Sequence, residues 1–249
     1  NLLLNAQNTI NWDLENDVAT SSFGKNYPRI VMDGSGNPMV TWGDGTNLFF
    51  ANWNGASFNT PLQLNPIGIT TTGDVWQGPE IASKGDTVYV VYKETPESNV
   101  NSHIWCISSF DGGQTFNTPV RVDYIGTNMS RFPTVTVDQN GNPIIGFMES
   151  TTSYLDPEWV VVKSVDLGQT FSSEVLASGW SDPSTEACDC CPGQIISEGN
   201  VVSMLHRDNF NNIRDSWAGI SIDGGNTFSA GMNVDQLNWL INSCPASGP

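Results

Sequence analysis

The sequence predicts an all-β chain of repeated four-stranded antiparallel units, and three observations carry that expectation. Short runs of β-branched and aromatic residues are separated by Gly, Asn and Asp turns, and no stretch sustains a 3.6-residue period. One eight-residue pattern recurs as Ser109-Phe110-Asp111-Gly112-Gly113-Gln114-Thr115-Phe116, Ser164-Val165-Asp166-Leu167-Gly168-Gln169-Thr170-Phe171 and Ser221-Ile222-Asp223-Gly224-Gly225-Asn226-Thr227-Phe228. Its aspartates stand 55 and 57 residues apart, and Trp53-Asn54-Gly55-Ala56-Ser57-Phe58 is a decayed earlier copy. Upstream of each box lies a Pro-led apolar run, a Gly turn and a second run. Examples are Pro28–Asp33 before Gly36-Asn37-Pro38 and Pro133–Asp138 before Gly141-Asn142-Pro143. Four strands at this period are the signature of a β-propeller blade.

The blades fall at about 27–65, 78–123, 132–177 and 190–235, with the start of another at 244–249. In the third, the strands are expected at 132–138, 143–149, 158–165 and 170–177. The inner runs are almost continuously apolar because neighbouring blades cover an inner strand on both faces. Residues 1–26 form an N-terminal segment in which 8–14 is a candidate closing strand. The alignment of Asn242–Pro249 with the start of unit four suggests a chain ending inside a fifth blade. It is expected to be a fragment or to be completed by another polypeptide, with a complete four-bladed propeller as the alternative.

Composition narrows the partners. The chain has 249 residues, with 26 acidic side chains against 9 basic ones and a net charge of −17. Nucleic acid is disfavoured because phosphate neutralisation needs a basic face, and an anionic membrane surface for the same reason. No apolar run approaches the roughly 18 residues of a membrane span. Low Lys, abundant Asn, Thr, Ser and Gly, and cysteines crowded into one segment suit an exported protein: secreted, periplasmic or on the cell surface.

The boxes resemble the Asp-box, or BNR, repeat of the sialidase-like propellers over roughly residues 27–249. The resemblance implies a six-bladed fold in which the box joins strands three and four on the face opposite the ligand site. Asp111, Asp166 and Asp223 are then turn glue: the carboxylate and the Ser and Thr hydroxyls tie down a turn whose glycines take φ > 0. The opposite face should hold the loops 43–47, 94–102, 150–158 and 206–215 and the links between blades. Loops on a rigid sheet are where binding residues collect.

Two constellations are expected there. Arg29, Arg131, Arg207 and Arg214 are a large share of nine basic residues, and converging guanidinium groups would grip a carboxylate bidentately. By resemblance, a sialidase holds sialic acid in this way. The family's aromatic-Arg-Ile-Pro order is altered here to Tyr27-Pro28-Arg29-Ile30, and the acid-bearing loop is reduced to Trp42-Gly43-Asp44-Gly45. Asp44 is an acid/base candidate by position only. The Tyr nucleophile and its Glu partner would come partly from later blades. Surface arginines satisfying loop carboxylates are the plain alternative.

The second constellation sets Cys188-Asp189-Cys190-Cys191-Pro192 and Cys244-Pro245 at the entrances of adjacent inner strands. His206-Arg207-Asp208-Asn209 and Asn212-Ile213-Arg214-Asp215 lie on the loop between them. The combination resembles a branch of Asp-box proteins with Cys-x-Cys-Cys and an Asn-Ile-Arg-Asp loop. The spacing lacks the paired Cys-x-x-Cys of a zinc ribbon. Disulfides are the leading reading, with Cys188 or Cys190 the better partner for Cys244, and a strained Cys190–Cys191 bridge as an option. A soft-metal thiolate site for Cu(I) or Zn with His206, or free thiols, are the others. Cys106 reads as a core thiol. Trp42, Trp105, Trp159 and Trp217 read as core, His103 as structural, and Trp76, Trp180 and Trp239 as candidates for stacking on a sugar. Asn128-Met129-Ser130 matches a glycosylation acceptor. The acidic turn Asp33–Asn37 is a Ca2+ candidate that hairpin geometry also explains.

The expected function is ligand or glycan binding at Arg29, Arg131, His206, Arg207, Arg214, Asp215 and Trp239. The alternatives are a retaining exo-sialidase whose later blades lie outside this chain, and a metal or thiol protein using the cysteines.

Overall fold

A computed structural model of the chain describes residues 15–74, 77–124, 126, 128–178, 186–229 and 231–243. It is all-β apart from a 3-10 turn at Ser21–Phe23. The first sheet has β1 (Asn26–Met32), β2 (Pro38–Gly43), β3 (Leu48–Asn52) and β4 (Leu62–Gln63). The second has β5 (Glu80–Lys84), β6 (Thr87–Lys93), β7 (Ile104–Ser109) and β8 (Val120–Arg121). The third has β9 (Met129–Val137), β10 (Pro143–Ser150), β11 (Glu158–Lys163) and β12 (Val175–Leu176). The fourth has β13 (Glu186–Ala187), β14 (Gln194–Glu198), β15 (Val201–Asn209), β16 (Ser216–Ser221) and β17 (Met232–Asn233). Within each sheet the strands pair antiparallel in chain order, except that β13 and β14 both pair with β15.

The cores lie between sheets, which explains the unbroken apolar runs. Along β6, Val88, Val90 and Tyr92 pack with Met39, Leu48 and Phe50 of the first sheet. The alternate residues Tyr89 and Val91 pack with Val135, Ile145 and Phe147 of the third. Side chains on a strand alternate between faces, so a strand covered on both needs apolar residues at every position. Ile144, Met148 and Trp159 meet Ile195, Val202 and Met204 in the same way. The outer face of the first sheet is covered by Val18, Ala19 and Phe23.

Inner strands pack in succession, β1 on β5, β5 on β9 and β9 on β14. All four open onto one narrow axial cavity lined by Tyr27, Glu80, Pro133 and Gly193, among others. Tyr27 and Phe132, each just before a proline, take positive φ of 52° and 48° beside irregular strand registers.

Several boundaries differ from expectation. The outer strands β4, β8, β12 and β17 have two residues each, and β12 begins at Val175 rather than 170. The box backbone is committed to its own turn through Phe171, so pairing starts only beyond it. The inner strand of the third sheet starts earlier, at Met129, and places Arg131 inside it. The fourth sheet carries the extra strand β13, and β15 runs to Asn209, so His206, Arg207 and Asp208 are strand residues rather than loop residues. The candidate closing strand 8–14, Trp76, Trp180 and the segment 244–249 with Cys244 lie outside the described residues.

Candidate functional site

The boxes occupy one end of the sheets and are chemically closed. Asp111 Oδ1 accepts from Ser109 Oγ at 2.8 Å and Thr115 N at 2.9 Å, and its Oδ2 accepts from Thr115 Oγ1 at 2.6 Å. Asp166 and Asp223 repeat these bonds with Ser164 and Thr170 and with Ser221 and Thr227. Hydroxyl and amide donors favour the charged carboxylate and lower its pKa in all three, to about 2 for Asp166. Each box also ties its blade to the one before. Gly112 O accepts from Asn52 and Gly224 O from Lys163, while a Cβ at Gly113 would lie 2.3 Å from the Phe50 ring. Asp33 is used similarly in its hairpin, accepting from Ser35 N and Asn37 N. The turn alone accounts for its acid.

At the opposite end the predicted residues meet, but not as one arginine cluster. Arg29 Nε donates to Glu80 at 2.7 Å and its guanidinium lies 3.8 Å from the Tyr27 ring centre. Arg131 is buried, donating to Glu97 at 2.7 Å and to Asp189 O, with Tyr154 and Phe132 against its plane. Arg207 donates to Arg214 O at 2.8 Å and sits 5.0 Å from the Trp239 ring centre. Arg214 Nη1 lies 2.8 Å from Cys188 Sγ. Each guanidinium thus has its own partner.

Asp44 is taken up by the β2–β3 turn, accepting from Thr46 N, Asn47 N and Asn47 Nδ2, and those donors hold its pKa below the usual range. Asp215 is buried and accepts from Asn233, Asn238 N and Trp239 N, which fixes the loop carrying Trp239. His206 is buried, its Nε2 3.2 Å from Asp208. Trp239 keeps 40% exposure.

The cysteines form the centre of this corner. Cys188 N donates to Arg207 O on β15, and Cys191 N donates back to Cys188 O at 3.2 Å. This turn sets Cys188 Sγ 2.8 Å from Cys191 Sγ and 3.4 Å from Cys190 Sγ. Cys190 is disulfide-bonded, whereas Cys188 and Cys191 carry thiols. A Cys190–Cys191 bridge is therefore not the arrangement found, and Cys188 is not a disulfide partner. The three sulfurs are the mutually close donor group, and His206 does not belong to it. The thiol hydrogen bond with Cys191 and the Arg214 charge pull the Cys188 pKa down to about 6 despite burial, while Cys191 moves up. Cys106, buried in the core, is simply raised by desolvation.

Two groups went unrecognised in the sequence. Tyr27 and Glu80 share a hydrogen bond beside Arg29, and burial together with the Glu80 charge raises the Tyr27 pKa to about 12. Lys93, buried at the second and third sheets, donates to Ser102 O and to Ser130 Oγ, which itself donates to Asp123. Burial lowers its pKa to about 8. His103 Nδ1 lies 3.2 Å from Asp123 in the same knot. A lysine ending the apolar run Val88–Tyr92 was the available signal. The Cys188-x-x-Cys191 spacing was equally visible.

No family model matches the chain, and no protein of curated function matches it. Solved structures do. A protein of unknown function from Dyadobacter fermentans superposes with a TM-score of 0.62 at 13% identity, covering 86% of this chain and 70% of that one. The Hadza microbial sialidase Hz136 gives 0.59 at 13% identity over 86% of this chain and 48% of its own. A PL25 ulvan lyase bound to -[GlcA(1-4)Rha3S]- gives 0.58 at 13% identity over 82% and 54%. The fold is a sialidase-like β-propeller. The chain spans about half the length of the sialidase and of the lyase. Among the described residues no helix is long and apolar enough to cross a membrane.

Proposed function

We propose that this chain is an exported propeller that binds an anionic glycan at the corner formed by Arg207, Arg214 and Trp239. One observation carries the reading. The Nε atoms of Arg207 and Arg214 are buried with no acceptor among the described residues. A buried donor left without a partner costs about 1–3 kcal/mol, which a carboxylate or sulfate oxygen would recover. The half-exposed Trp239 ring on Arg207 offers the apolar platform that a sugar face needs. The glycan class is supported by neighbours whose own ligands are acidic sugars, the ulvan lyase repeat carrying a carboxylate and a sulfate. Export is supported by the composition and by the Cys190 disulfide.

A second reading, hydrolysis of a sialoside, is favoured by Tyr27 hydrogen-bonded to Glu80 beside Arg29. Glu80 already accepts from Arg29 Nε and burial raises the Tyr27 pKa, which leaves no free base beside that hydroxyl, so binding is preferred. Titration calorimetry with glucuronate oligosaccharides and N-acetylneuraminate tests the first reading. Saturable binding should weaken by about tenfold in Arg207→Ala, the loss of roughly one charge-assisted hydrogen bond. Unchanged binding in that variant would sink it. Turnover of a fluorogenic sialoside, abolished by Tyr27→Phe, would establish the second instead.

A further inference from the structure

Cys188 and Cys191 carry chemistry that glycan binding does not use. They stand in Cys-x-x-Cys spacing on a tight turn, with their sulfurs 2.8 Å apart and neither residue exposed to solvent. The third nearby sulfur, of Cys190, lies 3.4 Å from Cys188 Sγ but is held in a disulfide, and His206 turns its Nε2 to Asp208, so the two thiols of the corner are Cys188 and Cys191. Arg214 Nη1 contacts Cys188 Sγ, and Arg214 is itself about nine-tenths buried, its Nε without an acceptor among the described residues. A buried guanidinium facing a sulfur is the environment that stabilises a thiolate. Cys106 is the internal control: it is buried in a hydrophobic core cluster with no guanidinium against its sulfur among the described residues, and burial raises its pKa.

We propose that Cys188 and Cys191 are a redox-active dithiol, Cys188 the attacking thiolate and Cys191 the resolving thiol, oxidised to an intrachain disulfide by a small hydroperoxide. Burial selects the oxidant: hydrogen peroxide reaches a site that a bulky disulfide does not. The Cys188 thiolate attacks one peroxide oxygen. The O–O bond breaks, Cys188 becomes a sulfenic acid, and the departing hydroxide takes a proton from solvent to leave as water. Cys191 sulfur then attacks Cys188 Sγ. The S–S bond forms, the S–O bond breaks, and the thiol proton of Cys191 leaves with the hydroxyl as a second water. The dithiol loses two electrons and the peroxide is reduced to two waters.

The inference rests on sulfur geometry and shares only Arg214 with the glycan reading, and its thiol measurements do not depend on glycan binding. The test uses the full chain with its Cys190 disulfide intact. Thiol counting after denaturation should fall from three, Cys106, Cys188 and Cys191, to one on addition of one equivalent of hydrogen peroxide. Peptide mass mapping should place the new bond at Cys188–Cys191. In Cys191→Ser, dimedone should trap a sulfenic acid at Cys188. In Arg214→Ala, oxidation at neutral pH should slow by on the order of tenfold as thiolate character falls, and Arg214→Lys, which keeps the charge, should restore most of the rate. Oxidation of Cys188 and Cys191 no faster than that of Cys106 would overturn the proposal, and that measurement needs no variant. A stoichiometric soft metal that blocks oxidation until chelated would overturn it as well.

Discussion

The two ends of these sheets use similar residues to opposite ends. At the box end, Asp111, Asp166 and Asp223 are accessible, and each accepts every donor that its Ser and Thr neighbours supply. At the cysteine corner, Arg207, Arg214 and the Cys188 sulfur are buried, and two guanidinium Nε atoms have no acceptor among the described residues. Where polar groups satisfy one another within eight residues, the structure needs nothing further. Where two buried guanidinium donors, from β15 and from the loop after it, are left over beside an exposed tryptophan, a ligand is a physical reason to retain them. Carboxylate richness is thus a poor guide to function in this chain, and unmet hydrogen bonding a better one.

That contrast can be broken at either end. Gly113→Ala should have the largest effect, because a Cβ there meets the Phe50 ring at 2.3 Å in a backbone with φ of 78°. Overpacking and left-handed strain together should cost about 3 kcal/mol in urea denaturation. A loss well below that would mean the box is not the joint between blades.

At the corner, stability should depend on pH through Cys188. Its folded pKa of about 6 lies below the ordinary thiol value of 9.0, so the thiolate's contribution is full above that value and is lost as pH falls through about 6. Cys191, shifted upward, contributes fully below the ordinary value and so adds no slope in this window. Arg207, Arg214 and Cys191 are the charged or titrating groups acting on this sulfur or its partner. Melting temperature should therefore rise from the acid to the alkaline side of neutrality, and Cys188→Ser should flatten that slope. An unchanged slope would remove the thiolate.

Asp111→Ala should cost about 1 kcal/mol, the worth of a lost cap, and leave glycan binding untouched. Loss of binding in that variant would erase the division between the two ends. The smallest change should be a gain. Leu167 holds φ of 60° where the other two boxes have glycine, so Leu167→Gly should stabilise by up to about 1 kcal/mol in the same denaturation series.

The periodicity of the boxes made the blades legible, because their turns are local: Ser, Asp, Gly and Thr within one octapeptide set both the geometry and its hydrogen bonds. The inner strands were legible for a related reason, since a strand packed on both faces shows as an unbroken apolar run. The outer strands were overestimated because the box backbone extends into what reads as strand. His206 to Asp208 were placed on a loop because their polar character masks a strand that β13 extends. The arginines were legible as residues of one face, but their individual partners were not. Charge and position on a face say nothing about which acceptor each side chain reaches, and Glu80, Glu97, Arg214 O and Cys188 were nearer than one another's ligands.

The sequence by itself determined an all-β propeller of box-bearing blades, an anionic surface, and a face where cysteine and arginine gather. Only the tertiary structure decided which groups meet there. It paired Arg29 with Glu80 and Arg214 with Cys188. It set Cys188 beside Cys191, and it took Asp44 and Asp215 into turns. Local turns are written in adjacent residues, whereas thiolate character and an unmet guanidinium donor depend on burial and on partners some 20 residues or a whole blade away, as Cys188 and Arg214 show.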